Sequence, residues 1–507
     1  MSAPTKPQPQ VPKPAPTQVP TMAPKSLPTP QSPPTRVVVV GAGMAAARLA
    51  EELRAGQPDP RRLAVTVLGA EPEEPYNRIM LTQAVIADRA HLAQLKPAGW
   101  WARSHIGMRT STSVVAIDRV ARQVELAGGE RVDYDHLVLA TGAAPRIPPI
   151  DGIRGPDGRL AAGAFVLRDA AHCRELIAHL AAHPGPVAVV GGGFIGLEVA
   201  CALAAAGHDV VVVHPRAWPM NGCLDAGAGA VLVRALGALG VRVVTGARAS
   251  RWEGASLVLD DGEVRCSTVV LATGSASRAE LALAAGLEVG DGVVVDDELA
   301  TSDPAISAIG DCAEHRGVVS GLVAPAWDQA VVLAARLTGS DPSARYLGAA
   351  SVTRLKADGI DVVALGELAP DPVAADTAVT TISEPARGRY ARVDVAGGRI
   401  VGAVLVGHPE PVGVLTQLYE SALPVPDDVV SVVLGRAEAV SAASPATMPA
   451  GAVVCRCNGV SKGDLVAAWR DGVRDRAGLA ERTRAGTGCG GCSSAVEGIC
   501  GWLREAG

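Results

Sequence analysis

Four cysteines near the C-terminus stand in two close pairs. They are Cys455-x-Cys457 and, after 31 intervening residues, Cys489-x-x-Cys492. Four thiolates in this arrangement suit a soft metal centre, and the glycines around the second pair let the backbone aim N–H groups at sulfur. The pattern favours a [2Fe–2S] cluster, while spacing alone also fits structural zinc or a redox-active dithiol.

Two glycine-rich turns each follow an apolar run and open a predicted helix. The first small residue of such a turn permits a sharp bend, the second lets the backbone approach a pyrophosphate, and the third lets the helix pack on the strand. These positions hold Gly41, Gly43 and Ala46 in the first turn and Gly191, Gly193 and Gly196 in the second. A purely structural turn is the alternative at either place, and the repetition favours two dinucleotide sites.

Each turn belongs to a predicted unit of strand, turn, helix and second strand. The residue that ends the second strand contacts the ribose of the bound dinucleotide. Glu71 stands there in the first unit and is expected to hold a ribose hydroxyl. The second unit has His214, with Arg216 two residues later. Because no carboxylate rejects a 2′-phosphate and a guanidinium can pair with one, the second site favours NADPH over NADH. A solvated surface residue is the alternative for Arg216.

A further segment follows each unit, and these two segments are similar to each other. Residues 137–142 and 269–274 both end in Ala-Thr-Gly, so the two-part unit is duplicated. The residues singled out as further cofactor contacts are Thr141, Gly142 and Gly274, with Gly310 and Asp311 after a later apolar run. An aspartate in that position can accept a hydrogen bond from a cofactor hydroxyl. The alternation of strands and helices predicts α/β units with parallel sheets.

Changes in composition and hydrophobic pattern divide the chain into six parts. A β-rich pattern begins near residue 344, and an Ala-, Ser- and Pro-rich stretch precedes the cysteine module. The predicted limits are 1–35 for a disordered proline-rich tail, 36–150 with 286–343 for one Rossmann-like domain, 151–285 for a second, 344–436 for a small α+β domain, 437–451 for a linker and 452–507 for the cysteine module.

Bulk properties exclude several classes of function. The 507 residues carry a formal net charge of −6, which argues against nucleic acid as the main partner. No apolar run approaches the roughly 20 residues that span a bilayer, and no signal peptide is present, so a reducing cytoplasm is expected. The scattered cysteines, expected to be buried packing residues, are Cys173, Cys201, Cys223, Cys266 and Cys312. A flavin disulfide reductase is disfavoured because no cysteine lies between the first turn and Cys173.

Together these features resemble the N-terminal part of the large subunit of assimilatory NAD(P)H nitrite reductase and the related electron-transfer subunit of assimilatory nitrate reductase, with the fold of pyridine nucleotide-disulfide oxidoreductases. The resemblance covers about residues 36–507 and rests on segments 71–81, 191–198, 321–325 and 402–407 and on the cysteine module, which resembles the bacterioferritin-associated ferredoxin-like (BFD-like) domain. It implies FAD on the first turn and NAD(P)H on the second. It also implies that Arg78 and Gly321–Pro325, including Val323, lie near the flavin.

The resemblance implies an NAD(P)H-dependent FAD oxidoreductase whose electrons leave through the cluster. No side chain is assigned as a general acid or base, because hydride transfer to flavin needs none. The full nitrite reductase continues into a sirohaem and [4Fe–4S] module with C-x5-C and C-x3-C pairs, and no cysteines here have that spacing. We therefore expect the chain not to reduce nitrite alone, and expect the acceptor to be a separate molybdenum nitrate reductase subunit.

Alternatives remain open at this point. A nitrite reductase large-subunit-like component and an NAD(P)H:rubredoxin or ferredoxin reductase are the enzymatic ones, and a redox sensor or scaffold without turnover is the third. A homodimer is also left open. Trp327 and Lys356 are considered for positions near the flavin or a dimer contact, which the sequence does not resolve.

Overall fold

The computed structural model describes residues 33–81, 94–357, 359–371, 373, 376–436, 445–446, 448–455, 458–486 and 492–506, without the side chains of Lys356, Ser493, Ser494 and Ala506. Nearly all of the predicted tail 1–35 and most of the predicted linker 437–451 lie outside the described residues. Cys457 and Cys489 lie outside them as well, so the structure describes two of the four predicted cluster ligands.

The first glycine-rich turn follows the central strand of a five-stranded parallel sheet. The strands lie in the order Ile306–Ala308, His136–Leu139, Thr35–Val40, Leu63–Leu68 and Ile106–Arg109. Val37–Val40 are almost completely buried, as expected for a strand covered on both faces. The helices Met44–Gly56 and Val323–Thr338 pack against each other beside this sheet.

The second glycine-rich turn follows the central strand of another five-stranded parallel sheet. Its order is Val241–Thr245, Val210–His214, Val187–Val190, Thr268–Leu271 and Ala164–Val166. The associated helices are Ala170–Ala182, Phe194–Ala205 and Ala226–Ala238. Val189 and Val212 pack in a core on one face of the sheet, while Ala188 and Val211 pack with Trp252 on the other.

The chain leaves the first parallel sheet, forms the second and then returns to the first. The strand Ala143–Pro145, on the way out, pairs antiparallel with the strand Ser275–Ser277, on the way back. The remaining small elements are the three-stranded sheets Val114–Asp118, Gln123–Leu126, Arg131–Asp133 and Ala249–Trp252, Ser256–Leu259, Gly262–Arg265, the parallel pair Val293–Val295 with Ala313–His315, the helices Trp100–Arg103 and Glu280–Ala284, and 3-10 turns at Arg78–Met80 and Gly310–Cys312. Strand Ile306–Ala308 thus completes the first sheet from a later part of the chain.

An antiparallel sheet follows the two parallel ones. Its order is Val352–Ala357, Ile360–Gly366, Arg399–Val406, Arg389–Ala396 and Ala378–Glu384, with helices Val412–Glu420 and Val429–Val433 and a 3-10 turn at Pro385–Arg387. One face shares a core with the second parallel sheet's helices, and the other face packs on its own helices. The Tyr390 hydroxyl donates to Asp225 at 2.6 Å across the first of these contacts.

The C-terminal module is small and mostly helical. It comprises strands Val453–Cys455 and Val460–Ser461 and helices Lys462–Arg470, Arg476–Thr483 and Ser493–Ala506. A capping box between Ser461 and Asp464 starts its first helix, because each side chain satisfies a backbone N–H of the other residue. Leu465 and Val496 are completely buried in its core, against which Ile79 of the first domain also packs.

This architecture confirms the predicted α/β fold class. Some helix ends differ from the predicted ones by a few residues. The first helix was expected to end near Leu53 but continues to Gly56. Arg54 explains the extra turn, since its guanidinium binds the carbonyls of Gln57 and Leu63 just beyond. In the described part of the chain, no helix is both long and apolar enough to cross a membrane. The domain limits stay predictions.

Candidate functional site

A cavity of about 820 Å³ lies where both glycine-rich turns approach the antiparallel sheet and the C-terminal module. Its lining includes nine predicted site residues: Gly43, Arg78, Gly142, Gly193, Gly274, Gly310, Asp311, Val323 and Cys492. The other predicted residues in the described ranges, which do not line it, are Gly41, Ala46, Glu71, Thr141, Gly191, Gly196, His214, Arg216 and Cys455. One space therefore joins the predicted flavin, nicotinamide and cluster sites.

The first turn is shaped for a phosphate group. Gly41 has φ +109°, and a Cβ there would meet the Ala140 carbonyl oxygen at 2.1 Å. Gly43 differs, because its Cβ would meet no protein atom within 4 Å. The helix that begins at Met44 has no side-chain cap, and Ala46 is completely buried. The first backbone N–H groups of the helix are therefore left for an anion, so this turn fits the pyrophosphate of a dinucleotide.

The second turn repeats this geometry. Gly191 has φ +115°, and its Cβ would lie 2.2 Å from the Ala272 carbonyl oxygen. Gly193 again opens onto empty space, and the helix from Phe194 has no side-chain cap. A Cβ on Gly196 would meet the Gly191 carbonyl oxygen at 1.9 Å, so only glycine permits the close packing of helix and turn. The second site fits a second dinucleotide.

Asp311 lies on the cavity wall with a partner that sequence reasoning missed. Its carboxylate accepts a hydrogen bond from Arg168 at 2.5 Å, and the same guanidinium donates to the Ala143 carbonyl at 3.0 Å. Gly310 precedes it with φ +77°, and its N–H donates to the buried Gln329 side chain at 2.7 Å. Arg168 gives no signal in the sequence, because the pair forms between residues 143 positions apart.

Glu71 and Arg78 form one cluster with Tyr76. The Arg78 guanidinium pairs with one Glu71 oxygen, and the Tyr76 hydroxyl donates to the other at 2.6 Å. Burial, assisted by the hydrogen bond to Glu71, raises the pKa of Tyr76. Arg78 also donates to the Arg168 carbonyl at 3.1 Å and lines the cavity. The Glu71 carboxylate thus orients Arg78 in this structure, in addition to the ribose role predicted for it.

The ribose end of the second site is polar and without a carboxylate. His214 is 8% exposed, and its Nδ1 accepts the Gly192 N–H at 3.1 Å. Burial lowers the pKa of His214, which suits a neutral ring that accepts at this nitrogen. Arg216 is exposed beyond the strand end, and no described residue forms an ion pair with it. Its guanidinium is available to a phosphate.

The two described ligand candidates are both buried. Cys455 is completely buried, whereas Cys492 is 6% exposed and lines the cavity. With Cys457 and Cys489 outside the described residues, no group of three or more metal-binding side chains is found in the described part of the chain. Both belong to the buried core of the C-terminal module, and two buried cysteine side chains fit thiolate ligation.

The scattered cysteines have the packing role expected of them at most positions. Cys312 is completely buried, and its thiol donates to the Leu139 and Ile309 carbonyls. Cys173 was also expected to be a packing residue, and burial raises its pKa to about 12, yet it lines the cavity. Trp327 lies beneath the Arg48 guanidinium, whose carbon is 5.4 Å from the ring centre.

Comparison with family models identifies the class of protein. The pyridine nucleotide-disulphide oxidoreductase model matches residues 35–330, the rubredoxin NAD+ reductase C-terminal domain matches 352–421, and the BFD-like [2Fe-2S] binding domain matches 453–501. The chain belongs to the pyridine nucleotide-disulphide oxidoreductase family. It is an oxidoreductase that binds FAD and NAD(P)H and carries a BFD-like [2Fe–2S] domain. The predicted fold class, enzyme class and cofactors are confirmed.

The curated relatives include the families that the sequence resembles. The chain is 31% identical to a nitrite reductase [NAD(P)H] of Bacillus subtilis over 92% of its own length and 57% of the relative. It is 31% identical to the assimilatory nitrate reductase electron transfer subunit of the same organism, over 93% and 60%. The chain thus spans a little over half the length of these relatives.

Solved structures agree with the fold. A putidaredoxin reductase in covalent complex with putidaredoxin has a TM-score of 0.70 at 27% identity, covering 79% of this chain and 98% of that one. A ferredoxin reductase from Rhodopseudomonas palustris has a TM-score of 0.69 at 28% identity, covering 79% and 100%.

Proposed function

We propose that this chain is the NAD(P)H-dependent electron-transfer subunit of an assimilatory nitrate reductase. FAD lies on the first glycine-rich turn, NAD(P)H on the second, and the cluster on Cys455, Cys457, Cys489 and Cys492. When bound, FAD supplies two-electron chemistry toward NAD(P)H and one-electron chemistry toward the cluster. The acceptor is a separate molybdenum-containing catalytic subunit.

One observation carries this proposal: the same cavity is lined by Gly43, Gly193 and Cys492. Electron transfer from a reduced nucleotide to a cluster needs the cofactors to be held close together in a fixed arrangement. The shared lining supports direct transfer inside one chain, without a mobile carrier between the sites.

The chain's own residues bind and orient in this scheme. The uncapped helix N-termini after Gly43 and Gly193 hold the two pyrophosphates. Asp311, fixed by Arg168, accepts a hydrogen bond from a flavin hydroxyl, while Arg78, fixed by Glu71, places a positive charge at the flavin. Val323, together with Leu322, Ala324 and Ala326, makes the same wall apolar. Thr141, Gly142, Gly274 and Gly310 complete the predicted cofactor contacts.

NADPH is the proposed electron donor, and a substitution of Arg216 tests this assignment. We expect R216Q to lower kcat/KM for NADPH by about tenfold, because a charge-assisted contact to the 2′-phosphate contributes about 1.5–3 kcal/mol. The same variant leaves NADH oxidation within about twofold, because NADH lacks that phosphate. R234Q, an exposed arginine on the helix Ala226–Ala238, is the matched control. Equal losses with both nucleotides would refute the assignment.

The acceptor is tested by comparing candidates under identical conditions. The purified chain, supplied with NADPH, is assayed with the catalytic nitrate reductase subunit, a rubredoxin, a [2Fe–2S] ferredoxin and nitrite. We expect nitrate reduction only when the catalytic subunit is present, and little transfer to the small carriers. Nitrite reduction by this chain alone would overturn the proposal.

A second candidate is an NAD(P)H:rubredoxin or ferredoxin reductase. It is favoured by the match of residues 352–421 to the rubredoxin NAD+ reductase C-terminal domain. Faster transfer to rubredoxin or ferredoxin than to the nitrate reductase subunit would select it. A nitrite reductase large-subunit-like role instead requires that the chain act with a sirohaem-containing component.

We also propose that the protein works in the cytoplasm. None of the described cysteines forms a disulfide, and a thiolate-held cluster suits a reducing compartment. A homodimer is a further proposal. Sedimentation equilibrium would test it, with a mass of about twice the 51.5 kDa of the chain expected for the dimer.

A further inference from the structure

Asn458 lies between the C-terminal module and the first domain. Its Nδ2 donates to the Cys455 Sγ at 3.8 Å and to the Arg484 carbonyl at 2.6 Å. Its Oδ1 accepts a hydrogen bond from Nδ2 of Asn77 at 3.3 Å. A contact between Asn77 and Asn458 crosses 381 positions of sequence and joins the two regions.

These contacts hold the Asn458 amide in one orientation. A primary amide has two donor hydrogens, and here one is directed to sulfur and one to a carbonyl. Turning the amide over would place its oxygen against Sγ and the Arg484 carbonyl, and its NH2 against the NH2 of Asn77. Asn77 is itself fixed, because it is completely buried and its Oδ1 accepts the Ile79 N–H at 3.0 Å.

The same contacts place Asn458 beside the sulfur of Cys455 and against the end of the helix Arg476–Thr483, which precedes the second predicted ligand pair. It follows Cys455 in the chain, and through the Arg484 carbonyl it is tied to the segment that leads to Cys492. Arg484 adopts a left-handed conformation, φ +67°, where the helix Arg476–Thr483 ends. One side chain therefore links the backbone before the second pair to the sulfur of the first.

The segment that contains Asn77 reaches the other cofactor. Arg78 lines the cavity shared by the two glycine-rich turns, while Ile79 packs against the core of the C-terminal module. Three successive residues thus contact the flavin side, the module's core and the amide that donates to Cys455. This continuous set of contacts joins the two redox sites.

We propose that Asn458 tunes the reduction potential of the cluster through its N–H···S contact to Cys455, and that Asn77 is the positioning residue that keeps this donor turned toward sulfur. This inference rests on the proposed assignment of Cys455 as a cluster ligand. One-electron reduction adds negative charge to the cluster and its thiolates, so a donor on sulfur stabilises the reduced form more than the oxidised form. Loss of the donor lowers the potential.

The test is a dye-mediated redox titration of the full chain, followed by the EPR signal of the reduced cluster. We expect N458A to lower the equilibrium constant for one-electron reduction by about threefold to tenfold, the latter being a shift of about 59 mV. N77S is the second variant. The serine hydroxyl can still cap the Ile79 N–H but is too short to donate to the Asn458 oxygen, and it adds no charge near the cluster. The Asn458 amide is then free to turn over, and the potential falls although residue 77 touches no ligand.

S461A is the matched control, because it removes a helix cap in the same module without contact to Cys455. Its potential is expected to equal that of the unmodified chain. Unchanged potentials in N458A and N77S, with iron and sulfide retained, would overturn the inference. If N458A loses its cluster, the potential of N77S alone decides. Failure of the proposed cluster assignment would look different, because the unmodified chain would then show no EPR signal after reduction.

Discussion

G43V is expected to leave a folded protein that no longer binds FAD. The Gly43 backbone has φ −88° and ψ −168°, which any residue can adopt, and a Cβ there meets no protein atom. The side chain would instead occupy the space through which the backbone approaches the pyrophosphate. We expect FAD affinity to fall by at least 100-fold, about 2.7 kcal/mol, while the apoprotein's free energy of unfolding changes by less than about 1 kcal/mol.

G193V is the matched variant at the second turn, whose geometry is the same. Gly193 has φ −85° and ψ −175°, and its Cβ also meets no protein atom. This variant is expected to purify with FAD bound but to lose at least about 100-fold in kcat/KM for NADPH. Flavin absorbance and stopped-flow reduction measure the two effects. Retention of FAD in G43V, or unchanged flavin reduction by NADPH in G193V, would contradict the assignment of the two sites.

C492A is expected to leave reduction of the flavin intact and to impair electron transfer from the protein to its acceptor. Cys492 lies on the cavity wall and is a predicted ligand, so its loss leaves the cluster with three thiolates. We expect ferricyanide reduction by NADPH to stay within about twofold, since that reaction needs only the flavin. Electron transfer to the catalytic nitrate reductase subunit should fall by at least about 100-fold, roughly 2.7 kcal/mol of barrier.

C500A is the control for this prediction. Cys500 is 1% exposed in the core of the same module, and burial raises the pKa of its thiol, which suits a packing role. Its replacement should destabilise the module by about 1 kcal/mol and leave iron, sulfide and electron transfer in place. If C492A kept a full cluster, or if C500A lost it, the proposed ligand set would be wrong.

The sequence allowed the architecture around the turns to be predicted well. Runs such as Val37–Val40 and Val210–Val213 are buried on both faces of parallel sheets, and such runs have few alternatives when glycine-rich turns follow them. The turns themselves were predictable because Gly41, Gly191 and Gly196 each make a backbone contact that a Cβ would block. Local steric requirements of this kind can be predicted from the type and spacing of residues.

Contacts between distant segments were not predictable in the same way. Arg168 pairs with Asp311, and Asn77 with Asn458, only because folding brings separate elements together. Glu71 was predicted from its position after a strand, yet its carboxylate is held by Tyr76 and Arg78, whose local arrangement depends on burial. Spacing shows which residues follow a strand, whereas the partners of a polar side chain depend on tertiary structure.

In the proposed scheme, NADPH reduces a [2Fe–2S] cluster through FAD inside one chain. Anaerobic addition of NADPH to the purified protein tests this scheme, with iron and sulfide analysis and EPR spectroscopy of the frozen sample. We expect two irons and two sulfides per chain and an EPR signal that appears on mixing and is absent in G43V. Zinc without sulfide, or a cluster that stays oxidised while the flavin is reduced, would contradict it.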